Sequence, residues 1–227
     1  MSEQLVPLFY FLLLAAVIPV LLGLYGLRRH SAPGITEFGL LMLSVAWWVL
    51  TSALEKAMPT LSSRVLWSRF QYIGIVSTAV LWFLFAVRFT RRDALLTSIV
   101  SIGLWVIPVI TIILAFSNGS FHNLLWSDIT PANGDPTGLL VYGHGLWFWV
   151  QAGYSYALYI AGTLVLLWAI VRFPQFYRSQ AAALALAGAI PILSNILYLW
   201  NIIPVRGLDI TPFSFILSGL IAAWSIF

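Results

Sequence analysis

The sequence predicts an all-α integral membrane protein: a single bundle of seven transmembrane helices, N-terminus outside and C-terminus in the cytoplasm. Three observations predict it. Seven apolar stretches fill most of the chain, and they reach the roughly 20 residues needed to cross a hydrocarbon core. Only 8% of the 227 residues are charged and 61% are hydrophobic, whereas an ordinary soluble domain is about 25% charged. The basic residues divide unevenly between alternate connections, which orients the bundle. The runs also lack the alternation of barrel strands of about 10 residues, which argues against a β-barrel.

The stretches are placed at residues 5–27, 35–55, 65–89, 94–116, 145–171, 179–203 and 212–227. Met1 to Gln4 carry no basic residue, so no cleaved signal peptide is expected and the first run is a retained helix. The first, third and fifth runs lead into connections rich in arginine: Arg28, Arg29, Arg88, Arg91, Arg92, Arg172 and Arg178. With Glu37 and Asp93 that side nets +5. The opposite side holds Lys56, Arg64, Arg69 and Arg206 against Glu3, Glu55, Asp128, Asp135 and Asp209, a net of −1. The basic connections are short. The one long connection, 117–144, is external and carries turn chemistry in Asn118-Gly119, Asn133-Gly134-Asp135-Pro136 and Gly138. Its apolar residues Phe121, Leu124, Leu125 and Trp126 predict packing over the bundle mouth. Pro19, Pro108 and Pro191 fall inside spans, where a proline removes a backbone hydrogen bond and kinks the helix. Asp209-Ile210-Thr211-Pro212 reads as a capped helix start.

The composition narrows the function. Eleven Trp, nine Tyr and fifteen Phe suit aromatic belts in a bilayer, placing the chain in the plasma membrane with lipid as its first partner. The net charge of +4 is spread over short loops, so no nucleic-acid partner is expected. With no cysteine there is neither a disulfide nor a thiolate metal site.

Several segments carry a family resemblance: Trp67-Ser68-Arg69-Phe70-Gln71-Tyr72-Ile73-Gly74-Ile75 opening the third span; Ser117-Asn118-Gly119-Ser120-Phe121-His122-Asn123-Leu124-Leu125-Trp126 leaving the fourth; and Tyr142-Gly143-His144-Gly145-Leu146-Trp147-Phe148-Trp149 entering the fifth, followed by Tyr154 and Tyr156. Gln180, Gly188, Pro191, Asn195 and Tyr198 mark the sixth, and Asp209-Ile210-Thr211-Pro212-Phe213-Ser214-Phe215 opens the seventh. Together they resemble the seven-helix N-terminal sensor region of bacterial and archaeal membrane histidine kinases, over essentially the whole chain. One departure is that members often have a proline after the glycine of the third span, where this chain has Val76-Ser77-Thr78. The resemblance implies a two-component sensor that detects an external or membrane-embedded small molecule or lipid and signals through its seventh helix. It also implies homodimers, and a cytoplasmic kinase module expected after residue 227, this chain being the sensor part alone.

Charged and amide side chains inside a span need partners or a cavity. Arg69 lies one turn below the outer end of the third span and Glu55 ends the second, so the two are placed to pair; alternatively Arg69 snorkels to the headgroups. On the fifth span Gln151, Tyr154, Ser155 and Leu158 share a helical face, as do Asn195, Tyr198 and Ile202 on the sixth. By helical rise Gln151 and Asn195 both lie about 10 Å below the outer surface. Two readings fit: a small-molecule pocket capped by Phe121–Trp126, or interhelical hydrogen bonding. The candidate ligand-binding residues are Glu55, Arg69, Tyr72, His122, Trp126, Gln151, Tyr154, Asn195 and Tyr198. His122, His144, Asp128, Asp135 and Asp209 have the chemistry of a metal or proton-sensing cluster, but their spacing fits no compact ligand motif, so neither metal nor cofactor is expected. Small-residue rows, Gly153, Ala157 and Ala161 on the fifth span and Ala181, Ala185 and Gly188 on the sixth, are packing signals.

Other functions fare worse. A small-solute transporter or channel remains the alternative; Pro174-Gln175 matches a transporter dipeptide but falls in a loop, and the first and last three spans do not match as repeats. A retinal receptor needs a buried lysine in the last helices, and the only lysine is Lys56. No span carries a paired-carboxylate, Ser–Lys or His–Glu–x–x–His arrangement, so this chain is not expected to be an enzyme.

Overall fold

The computed structural model describes residues 5–29, 33–135, 138–172, 175–200, 202 and 207–226. Glu3, Pro136, Asn201, Arg206 and the expected span ends Ile203 and Phe227 lie outside the described residues. Among those described, eight α-helices make seven passes: α1 (Leu5–Arg28), α2 (Ile35–Ala57), α3 (Leu61–Phe89), α4 (Ser98–Gly103), α5 (Val106–Ser117), α6 (Leu146–Arg172), α7 (Gln175–Leu199) and α8 (Thr211–Ile226). Counting α4 and α5 as one run, six are long and apolar enough to cross a membrane, and the apolar α8 is shorter at 16 residues. The helices form a ring. α1 packs on α2, α2 on α3, α3 on α6, α6 on α7 and α7 on α8, which returns to α1 and α2; α5 leans on α3 and α6.

Glycines set the close approaches. A Cβ on Gly26 would lie 3.2 Å from the Gly39 Cα, and one on Gly23 3.0 Å from the Gly39 carbonyl oxygen, so α1 and α2 touch backbone to backbone. Without a hydrophobic drive between helices in lipid, such contacts carry the packing. Gly162 and Gly188 make room for the Trp82 indole between α3, α6 and α7. The row expected at Gly153 and Ala157 instead faces away from the bundle, while Ala181 and Ala185 are buried. The core gathers around Phe38, Met42, Val45, Val80 and Phe85. Polar side chains in this apolar setting satisfy themselves locally: Thr51, Thr90 and Ser218 donate to carbonyls one turn back.

The fourth span is not one helix. Pro108 has no N–H to give the Leu104 carbonyl and its ring crowds that carbonyl. The helix therefore stops at Gly103 and α5 restarts at Val106, with Pro108 in the first turn, where no donor is needed. Pro19 and Pro191 stay inside continuous helices. The sixth span ends at Leu199 rather than 203, so Ile202 is off the helix and exposed.

The long connection also departs from the all-α expectation. It folds into an antiparallel hairpin of β1 (Trp126–Pro131) and β2 (Leu140–His144), pairing Ile129 with Tyr142 and Thr130 with Val141. Leu125 and Trp126 at its start are buried, but Phe121 is 90% exposed and Leu124 is also exposed, so those two do not pack over the bundle. Asn118 anchors the loop: its Oδ1 accepts from the N–H groups of Leu125 (3.0 Å) and Trp126 (3.1 Å), and its Nδ2 donates to the Trp126 carbonyl (3.1 Å).

The arginine-rich turns gather at the end opposite the hairpin. Arg88 pairs with the buried Glu37 at 2.8 Å, joining the end of α3 to the start of α2. After Arg91, whose φ of 54° turns the chain sharply, the Arg92 guanidinium lies 3.7 Å over the Trp168 ring of α6, a cation–π contact.

Candidate functional site

At the hairpin end the ring of helices encloses a cavity of ≈170 Å³. Five helices reach it, together with the hairpin and the loop before α8. From α2 come Trp48, Ser52, Glu55 and Lys56, and from α3 Gln71, Tyr72 and Thr78. The hairpin supplies Trp126, Tyr142 and His144; α6 supplies Gln151, Ser155, Tyr156 and Tyr159. Asn195 and Tyr198 of α7 face Asp209, Thr211 and Phe215 around the start of α8.

Each wall has a local cause. The Trp126 ring meets Tyr72 edge-on with centroids 5.5 Å apart and Tyr142 at 5.2 Å, so the hairpin closes the cavity with aromatic surface. Tyr142 also hydrogen-bonds Ser68 of α3. Burial pushes the Tyr142 hydroxyl well above the ordinary tyrosine range and lowers His144 below its usual value, so the imidazole is neutral at pH 7. At the floor, Tyr159 donates to Thr78 at 2.7 Å, and its ring and that of Trp48 lie against Phe215 at 5.7 Å.

The charged groups sit together. Glu55 accepts from Gln71 at 2.9 Å and lies 3.4 Å from the Lys56 ammonium. Lys56 also donates to the carbonyl (3.3 Å) and hydroxyl (3.0 Å) of Ser52. Asp209 accepts from the Thr211 N–H at 2.9 Å, which caps α8, and it lines the cavity as well. Burial raises its carboxyl above the usual range, opposed by the Thr211 hydrogen bonds and Lys56.

Six of the nine residues nominated from sequence meet in this cavity: Glu55, Tyr72, Trp126, Gln151, Asn195 and Tyr198. Three do not. Arg69 does not pair with Glu55; its guanidinium donates to the Asn118 carbonyl at 2.8 Å and braces the loop. His122 bonds Ser117 at 2.9 Å and accepts from the Leu124 N–H at 3.2 Å within the loop. Tyr154 turns to the opposite flank of α6 and donates to the Leu104 carbonyl at 2.7 Å, the group that Pro108 leaves without a donor. Sequence reasoning missed Lys56, Tyr142, Tyr156 and Tyr159. The last two follow Ala152 and Gln151 on the same helical face, so the spacing was there, set one residue aside.

The amides are also interhelical bonds. Gln151 accepts from Thr111 of α5 at 2.8 Å and donates to Ser155 at 2.9 Å. Asn195 accepts from Tyr156 at 2.5 Å and donates to Thr211 at 3.3 Å. It thus ties α6, α7 and α8 at the cavity wall. Asn195→Leu is expected to strand the Tyr156 hydroxyl and destabilise the protein by about 1–3 kcal/mol, whereas adding Tyr156→Phe recovers most of that loss. A double-mutant cycle of denaturant unfolding in detergent reads both; additive losses would refute the coupling.

Against known families, a model described as the N-terminal 7TM region of histidine kinase matches residues 11–227. No curated protein matches the chain.

Proposed function

The chain belongs to the family of N-terminal seven-transmembrane regions of histidine kinases, and from that premise we propose that it senses a small ligand in the hairpin-capped cavity and signals through α8 to a cytoplasmic kinase module. The observation that carries the reading is where α8 begins. Asp209, Thr211 and Phe215 form part of the cavity wall, so any occupant touches the helix whose far end leads out of the bundle. Asn195 links the same turn to α6 and α7. An occupant that fits one arrangement of these three helices better than another shifts the equilibrium between them, which is all that signalling requires.

In this reading the multi-pass protein sits in the plasma membrane with the cavity outside and the arginine-rich turns in the cytoplasm, as the charge bias of the connections supports. The sensor works as a homodimer, and catalysis belongs to the kinase module rather than to this chain.

Filling the cavity tests the proposal. Ala152→Trp puts an indole into the space, while Leu164→Trp does so on the lipid-facing side of α6. Autophosphorylation of the full-length kinase in nanodiscs is expected to shift several-fold with Ala152→Trp and to stay at the wild-type rate with Leu164→Trp. Equal rates in all three folded proteins would sink the reading.

A further inference from the structure

We propose that the occupant is a small organic cation, a primary or quaternary ammonium group held between the carboxylates of Asp209 and Glu55 and the aromatic walls. The inference rests on the sensing cavity proposed above and names what it binds.

Charge is the first argument. Among the described residues lining the cavity, the ionisable carboxylates are Glu55 and Asp209 and the only fixed cation is Lys56. The Lys56 ammonium already has the Ser52 carbonyl, the Ser52 hydroxyl and Glu55 as partners. It is spent within the wall and is poorly placed to receive an anion. The neighbouring guanidinium groups do not enter: Arg64 donates to the Gly138 carbonyl at 2.6 Å and Arg69 to that of Asn118. His144 is half-buried against the Phe148 ring, centroids 3.9 Å apart, and its lowered pKa keeps it uncharged. Among the described residues, a cation is therefore the occupant that the lining acids can pair with.

The walls supply the second argument. Trp48, Trp126, Tyr72, Tyr142, Tyr156 and Tyr198 all line the space. Their planes are not parallel: Tyr72 meets Trp126 at 72° and Tyr142 meets it at 42°. Aromatic rings around a buried space offer partners to ammonium groups, which the ring quadrupole attracts. An anion would meet those electron-rich rings and two acids. Burial raises the Asp209 carboxyl, and an ammonium group bound beside it favours the carboxylate form.

Size is the third. A space of ≈170 Å³ has room for a head group or a free amine. The ammonium can therefore arrive on a soluble molecule or on a lipid head group, and the test separates the two.

The full chain is placed in nanodiscs of phosphatidylglycerol alone, and thermal unfolding and tryptophan emission are followed with choline, with ethylamine, with the neutral carbon isostere dimethylbutanol and with acetate. The two cations are expected to raise the unfolding midpoint saturably, and the isostere and acetate are not. Asp209→Asn and Glu55→Gln are each expected to weaken choline binding by about tenfold or more; Glu55→Gln decides if loss of the α8 cap prevents Asp209→Asn from folding. Discs containing phosphatidylcholine that abolish the choline response identify the lipid as the source, and discs that leave it intact identify a soluble amine. If the isostere binds as well as choline and Ala152→Trp blocks both, the cavity is a sensor site but the cation inference is overturned. If no probe binds the wild type, or Ala152→Trp leaves every response unchanged, the cavity reading falls with it.

Discussion

Asn118→Ala is expected to release the hairpin from the bundle. One side chain accepts from two buried backbone N–H groups, those of Leu125 and Trp126, and donates to a carbonyl of the same segment. Alanine leaves the two donors buried and unpaired, a loss of about 1–3 kcal/mol each. The Arg69 bond to the Asn118 carbonyl survives only if the chain keeps its path. Hydrogen exchange at Leu125 and Trp126 is therefore expected to accelerate by two orders of magnitude or more, on the basis of about 1.4 kcal/mol per tenfold, and Trp126 emission to shift to longer wavelength. Asn118→Asp keeps the acceptor and loses the donor, so its effect falls between. Wild-type protection of both amides in the alanine variant would show that the loop holds itself down without this anchor.

The second large effect is expected at Gly74. A Cβ there would sit 2.6 Å from the Ser44 carbonyl oxygen and 3.0 Å from the Trp48 backbone nitrogen and Cβ. These are atoms of the α2 backbone and side-chain root, which cannot swing aside. Gly74→Ala must push α2 away from α3, a cost of about 1–3 kcal/mol by the usual penalty for overpacking. Trp48, Gln71 and Tyr72 flank the same contact and line the cavity, so the substitution also widens the site. Gly153→Ala is the control: its Cβ meets nothing within 4 Å, and the exchange is expected to be neutral or to stabilise by up to about 1 kcal/mol. Unfolding of the two variants in a denaturing-detergent titration checks the difference, and equal midpoints would contradict the close approach.

The spans were legible because crossing a bilayer demands apolar length, and length is visible one residue at a time. What partners each polar side chain was less so. Arg69 and Glu55 lie at comparable depth, which suggested a pair, but depth does not give azimuth. Gln71 faces Glu55, and Arg69 faces the loop. The hairpin left a signal in Trp126-Ser127-Asp128-Ile129-Thr130, an alternating and partly β-branched run ahead of the Asn133-Gly134 turn, of the kind that marks strands. Lys56 looked like a loop charge because it follows the last apolar residues of its span. Only the fold shows that α2 runs on to Ala57 and carries the ammonium inward. Asp209 was recognised as a cap, and it is one; that it also faces a cavity depends on five other elements.

The interruption between α4 and α5 gives the fourth crossing a joint. Six residues stand on one side of it and twelve on the other, and the carbonyl exposed at the joint is held by Tyr154 from α6. A straight helix meets a thinner or thicker bilayer by tilting as a whole, at a modest energy for each ångström of mismatch. A jointed one can take up the difference at its bend, letting the short segment beside the arginine-rich turns follow the lipid while the longer one stays bonded to α6 through Thr111 and Gln151. The bond from Tyr154 then acts as the pivot pin, fixing where along the crossing that accommodation takes place.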